Sequence, residues 1–241
     1  MKLFKACIVL AAFAALFVMP TIASASPELT HPTGTTATGD HETTALTGKD
    51  EGITIEATNV SHSTTAKNTV MTTGLGNLEC ATATLTGTLI TNTGTKIEGE
   101  ISTAQFNGTP GTPAAAHCSA PGGLGTVTFT PSHTSNPAGG LPWCVIAEGL
   151  QNKFIVRGGT CTEVARPLKF TLHSALLGAC VYEKAQVEGT YTTHPVDAIM
   201  TITEQEFKKI SGSGFCPGSG KLDMAFTMFT DGKPTEPIYI S

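Results

Sequence analysis

The sequence predicts an all-β protein: two related sandwich-like or barrel-like β-units from an internal duplication, stapled by disulfides. Three observations carry that expectation. Residues 52–241 read as short runs with a two-residue alternation, rich in Thr, Val and Ile and broken by Gly, Asn and Pro. Cys80, Cys118, Cys144, Cys161, Cys180 and Cys216 are spread through the same stretch, the usage expected of an oxidised, exported chain. The chain also matches itself when slid by about 100 residues.

Residues 1–25 contain Lys2 and Lys5, an apolar run to Met19, then Pro20 and the small residues Ala23-Ser24-Ala25. This pattern predicts a secretory signal peptide cut between Ala25 and Ser26. The apolar run of about 13 residues is short of the roughly 20 that a membrane-spanning helix needs. Cys7 lies too early to mark a lipoprotein cleavage point and is expected to leave with the peptide. No second long apolar run follows, so the expected mature chain has no membrane span and is secreted or held in a cell envelope. Without Lys2 and Lys5, 12 basic residues face 19 acidic ones, a net charge of −7 in place of −5. That balance argues against nucleic acid and anionic membranes, which select clustered Lys and Arg.

Residues 26–51, SPELTHPTGTTATGDHETTALTGKDE, hold few large apolar side chains, so a flexible, extended leader is expected there. Residues 52–131 are read as the first β-unit, with strand-like runs GITIEAT, TATLTGTLIT, TKIEGEIS and GTVTFTP. Residues 132–152 are the expected connecting segment. Residues 153–241 are the second unit, with KFIVRG, LKFTLH, VEGTYTT, AIMTIT, KLDMAFTMF and PIYIS. No stretch after residue 25 keeps a 3.6-residue apolar period over ten residues. The best helical candidate, TEQEFKKI, fits a strand with a bend equally well.

The self-match aligns Ile53 with Phe154, Val70 with Phe170, Cys80 with Cys180, and Gly87-Thr88-Leu89 with Gly189-Thr190-Tyr191. It continues through Ile101 and Phe106 against Ile202 and Phe207, Cys118 against Cys216, and Phe129-Thr130 against Phe226-Thr227. Equivalent positions suggest equivalent bonds, Cys80 with Cys118 and Cys180 with Cys216. Cys144 and Cys161 are left to pair across a hairpin formed by WCVIAEG and KFIVRGG. Each unit of about 80 residues is marginal alone, which is where a crosslink adds most.

No constellation commits the chain to a chemistry. SGSGFCPGSGK has glycines but not phosphate-loop spacing, because Phe215 and Leu222 stand where Gly and Ser or Thr are required. A Gly-rich turn around a disulfide is the plain reading. Glu98 with Glu100, and Glu204 with Glu206, share a strand face on a strict alternation, as an acid and base pair would, but so does any solvent face. His31, His41, His62, His117, His133, His173 and His194 lack metal-ligand spacing. His194, Asp197 and Ser211 can be drawn as a triad, yet no G-x-S-x-G nucleophile motif accompanies them. Trp143 reads as a core anchor. Asn59-Val-Ser and Asn107-Gly-Thr match the glycosylation pattern. No catalytic, cofactor-binding or metal-binding residue is assigned.

TTGLGNLECATATLTGTL and ACVYEKAQVEGTYTT with the later GFCPGSGKLDMAFTM resemble a group of exported, Thr-rich, cysteine-containing β-proteins of actinobacteria. The likeness rests on Cys followed by Gly-Thr-Leu or Gly-Thr-Tyr and on Cys-Pro before the last long strand. It implies an extracellular or envelope setting and brings no catalytic residues. The function expected is a non-catalytic binding or structural protein with an extracellular or cell-wall ligand. A secreted hydrolase with an unrecognised site, or an inhibitor presenting the segment SHTSNPAGGLP, are the alternatives.

Overall fold

Alternation along the chain becomes alternation of faces in space. In the strand Leu168–Ser174, Leu168, Phe170, Leu172 and Ser174 are buried while the residues between them are not. Val127–Pro131 repeats the pattern, with Thr128 and Thr130 exposed between buried Val127, Phe129 and Pro131. β-Branched Thr suits the wet face of a pleated strand. The computed structural model describes residues 28–35, 41–45, 54–58, 68–109, 115–121, 124–131, 140–148, 152–192, 198–230 and 238–240. None of these residues is helical.

The first strands are β1 (Leu29–Thr35), β2 (His41–Ala45), β3 (Thr54–Thr58), β4 (Thr69–Thr73), β5 (Gly76–Cys80), β6 (Thr82–Asn92), β7 (Lys96–Asn107) and β8 (Val127–Pro131). They are followed by β9 (Trp143–Glu148), β10 (Lys153–Gly158), β11 (Leu168–Ser174), β12 (Gly178–Lys184), β13 (Val187–Tyr191), β14 (Ile199–Ser211), β15 (Ser219–Thr230) and β16 (Tyr239–Ile240). Thirteen of them form one sheet, and β1, β2 and β16 form a small second one. β9 and β10 are the hairpin expected around Cys144, with Phe154 opposite Ala147. TEQEFKKI is strand, interrupted by a bulge between Ile202 and Gln205 where Glu204 takes a φ of 48°.

The large sheet closes on itself. From β6 the antiparallel ladder runs through β7, β9, β10, β13, β14, β15 and β3 and returns to β6. A ring of eight strands has an interior just wide enough to be filled by side chains or to hold one small ligand. A second circuit runs from β8 through β11, β12, β14, β15, β4 and β5. It is completed by short bridges from Glu79 to Ser119 and from Cys118 to Val127. The long hairpin β14–β15 serves both rings: Gly189 of β13 faces Ile202, whereas Val181 of β12 faces Ser211. The bulge at Glu204 lies between these two uses, where a strand must bend and twist to change partners. β15 pairs with β3 and β4, and β8 pairs with β11, so one sheet runs through both residues 52–131 and residues 153–241.

The second ring is filled by aromatic rings. Phe129 lies 4.5 Å from Phe106 and 4.3 Å from Phe170, and Phe170 lies 5.5 Å from Tyr182 and 4.8 Å from Phe207, centre to centre. Such stacked and edge contacts add to the burial of large apolar area. The disulfides are Cys80–Cys118 and Cys180–Cys216, the pairs that the self-match put forward, and Cys144–Cys161, the pair left over to bridge the hairpin. The first fastens the closing segment to β5, the second ties β9 to the loop after β10, and the third holds the β14–β15 loop against the start of β12.

Two pieces of residues 26–51, where the sequence suggests an extended leader, take strand form as β1 and β2. Leu29 is the physical reason, because it is buried to 3% exposure against the first ring. Asn92, at the end of β6, holds it there: the Leu29 N–H donates to Asn92 Oδ1 at 2.9 Å, and Asn92 Nδ2 donates to the Leu29 carbonyl at 3.0 Å. β16 lies beside β1, with Leu29 opposite Ile240.

Candidate functional site

The first ring is not filled. Its interior holds a partly open cavity of about 110 Å³, lined by inward residues from every strand of the ring. β6 contributes Leu85 and Leu89, β10 Phe154 and Val156, β14 Met200 and Ile202, β15 Phe226 and Met228. Leu29 and Ile240 reach the same space from the small sheet. The space exists because small residues face inward where larger ones would fill it. Ala57 and Ala147 are two of these, and Gly99 is a third. A side chain at Gly99 would meet only the Thr88 carbonyl, at 3.4 Å. Gly87 is different: a Cβ there would lie 2.5 Å from the Glu100 carbonyl, so the bulge between Thr86 and Gly87 requires glycine.

The wall is almost wholly apolar. Glu100 borders the space, but its carboxylate accepts the Cys161 N–H at 2.8 Å on the outer side of β7. Tyr191 is the ionisable side chain that lines the cavity, and burial pushes its phenol above the ordinary value. A protonated phenol in such a wall is a single hydrogen-bond donor. The surroundings cannot support an ion, since a charge taken out of water without a partner is strongly disfavoured.

Apart from Glu100, the described residues considered for catalysis are placed elsewhere. Glu98 forms an ion pair with Lys96 at 2.7 Å and accepts from Thr91 Oγ1 at 3.2 Å. Hydrogen bonding to Glu98 is the largest cause that raises the Lys96 ammonium; burial lowers it by less, and hydrogen bonding to Glu148 raises it by less again. Glu204 and Glu206 are both exposed, and the bulge breaks the alternation that relates them; Glu204 instead meets Lys221 at 3.4 Å. His173 is exposed and His117 is half-buried. His62, His133 and His194, Asp197, Asn59 and most of SHTSNPAGGLP lie outside the described residues, as do the side chains of His31 and His41. Among the described residues, no three His, Cys, Asp or Glu side chains gather as a metal would need.

The glycine-rich loop before β15 is a disulfide-held turn. Ser213 Oγ donates to the Leu177 carbonyl at 3.0 Å, and Lys209 Nζ donates to the Ser213 and Cys216 carbonyls at 3.2 and 3.3 Å. These polar groups are occupied by the loop's own surroundings. Phe215 projects from the loop with 79% of its surface exposed. Trp143 is buried, and its indole N–H meets no acceptor among the described residues. The cavity itself escaped the sequence reading: an inward glycine and two inward alanines look like any others until the ring closes around them.

No protein-family model, no curated protein and no solved structure matches the chain. No helix among the described residues is long and apolar enough to cross a membrane.

Proposed function

We propose that this chain is an exported, non-catalytic binding protein that holds its ligand inside the eight-stranded ring. The observation that carries this reading is the apolar cavity, where among the described residues the ionisable ones at the wall are Tyr191 and Glu100, and the Glu100 carboxylate is taken up by the Cys161 N–H. General acid–base or nucleophilic chemistry needs convergent groups of matched pKa, and the described residues of this interior bring none together. Three disulfides support an oxidising, extracellular or envelope setting, in line with a signal peptide ending at Ala25. The crosslinks and the Thr-rich outer faces suit a protein that must persist unprotected. The likeness to exported actinobacterial β-proteins belongs to the same reading.

We further infer that the chain arose by duplication. Ile55 faces Gly87 and Phe154 faces Gly189; Gly87 faces Ile101 and Gly189 faces Ile202. The last long strand of each half crosses to the other: β15 reaches β3 and β4, while β9 and β8 reach β10 and β11. On this reading β8 and β9 together are the counterpart of β15, split by the segment between them.

The test is to recover the oxidised protein from the medium or envelope of its own host, extract it with organic solvent and identify what is released. One equivalent of an apolar compound supports the reading. An interior that is empty in the native protein and takes up no small molecule overturns it.

A further inference from the structure

We propose, resting on the reading of the first ring as the ligand site, that the ligand is a compact, uncharged, hydrocarbon-like molecule and that it passes in and out under the β1–β16 ribbon. Size sets the first limit. The cavity of about 110 Å³ is smaller than the engineered apolar hole of about 150 Å³ that admits benzene or xenon. A single ring or a short branched chain is therefore the largest guest that fits with modest adjustment. Met200 and Met228 supply that adjustment, being unbranched, flexible and in the wall. A long acyl chain or a polycyclic molecule would have to unpack the ring.

Chemistry sets the second limit. An ion has no partner inside, and a molecule with several polar groups would leave most of them unpaired.

The route follows from where the wall is weakest. The sides are continuous ladders, the longest of which, β6–β7, is paired from Thr82–Asn107 to Asn92–Ile97. Towards the second ring, Leu85, Ile101 and Ile202 face Phe106, Phe170 and Phe207 across a smaller void of about 40 Å³ that is itself walled in by apolar side chains. At the remaining end the cover among the described residues is Leu29 and Ile240, and the β1–β16 pairing includes Leu29 with Ile240 and Thr30 with Tyr239. The Asn92 clamp holds Leu29, and beside β16 the Ile238 N–H donates to the Met228 carbonyl and the Ala198 N–H donates to the Ile238 carbonyl, each at 3.0 Å. Opening this ribbon exposes the cavity without breaking the ring.

The experiment uses the oxidised protein with ¹³C-labelled methionine methyls, titrated with benzene and followed by NMR. Met200 and Met228 report on the cavity, and buried Met71 in the second ring is the internal control. The expected result is a saturable one-to-one shift of Met200 and Met228 with Met71 unmoved, abolished in Gly99→Leu, or weakened in Gly99→Ala if the larger variant does not fold. Asn92→Ala is expected to speed exchange of the guest by about tenfold or more, since two hydrogen bonds to the lid are lost. Asn92→Asp, which keeps the acceptor for the Leu29 N–H, should fall between. If benzene leaves both methyls unmoved while dodecanol shifts them, the compact class is wrong and the ring site stands. If no guest moves them, the underlying reading fails. If both Asn92 variants exchange at the wild-type rate, the ribbon is not the route.

Discussion

Reducing the three disulfides should remove most or all of the folding stability. The loops they close span 38, 17 and 36 residues. On the chain-entropy relation these correspond to about 3.9, 3.1 and 3.8 kcal/mol. The loops follow one another along the chain without overlapping, so their effects on the unfolded ensemble are close to independent, and the total is about 11 kcal/mol. Typical domains are stable by only about 5–15 kcal/mol in all. The assay is chemical denaturation followed by Trp143 fluorescence, with and without a thiol reductant. The pairwise Cys→Ala variants should rank with the loss of Cys144–Cys161 the mildest. Loss of Cys80–Cys118 should also raise amide exchange in β5 and β8. There the second ring is closed only by the Glu79–Ser119 hydrogen bonds of 3.0 and 2.8 Å and the Cys118 N–H donating to the Val127 carbonyl at 2.8 Å. A reduced protein that unfolds cooperatively at an unchanged midpoint would refute the reasoning. It would mean that the sheet closes by packing and ladder bonds alone.

Phe170→Ala should destabilise by about 3–5 kcal/mol, read as a lowered denaturation midpoint, because Phe170 contacts Phe129, Tyr182 and Phe207 at the centre of the second ring. Stability should fall as pH rises from 10 to about 12, because burial pushes Tyr182 up from 10.0 to about 12. With the folded value above the unfolded one, this contribution is whole below pH 10 and is lost as pH rises through the folded value. Alkaline unfolding profiles of the wild type and Tyr182→Phe, with tyrosinate absorbance, check it; the variant should lose that part of the pH dependence. Phe215→Ser should change stability by less than about 0.5 kcal/mol while weakening retention on a hydrophobic-interaction matrix, because Phe215 is 79% exposed.

The elements themselves were legible because each strand writes its faces in the local sequence. GTVTFTP and LKFTLH alternate, and β8 and β11 bury those same apolar residues. The cysteine pairs were legible through the offset of about 100 residues. Partner choice was not. Nothing in KLDMAFTMF says that its start will lie beside Val70–Thr73 and its end beside Ile55–Thr58, because pairing between distant strands is decided by the packed whole. TEQEFKKI hid its bulge for a related reason: the offset between Ile202 and Gln205 answers the need of one strand to serve two rings. Leu29 sat in a composition that argues for disorder, and a single apolar side chain with a waiting hole and an Asn92 clamp was enough to order its neighbours.

The contrast between the rings bears on why the cavity is there at all. The same strands β14 and β15 wall both rings, so the hollow cannot be blamed on a poorly specified sheet. Phe106, Phe129, Phe170, Phe207 and Tyr182 occupy one interior and leave a void of only about 40 Å³, while Ala57, Gly99 and Ala147 face the other. Gly99 is the sharpest case. Its φ is not in the left-handed region and a Cβ there meets nothing closer than 3.4 Å, so neither backbone nor space demands glycine. Gly99→Ala should therefore stabilise the ligand-free protein by about 1 kcal/mol, from reduced unfolded-state freedom and a methyl placed in an apolar hole. A stabilising change this accessible is expected to be used unless it harms function. The variant's raised midpoint, together with weaker uptake of an apolar guest, would tie the empty volume to a role. A lowered midpoint would mean that Gly99 is there for a close approach of backbone, and the volume would lose its strongest argument for being a site.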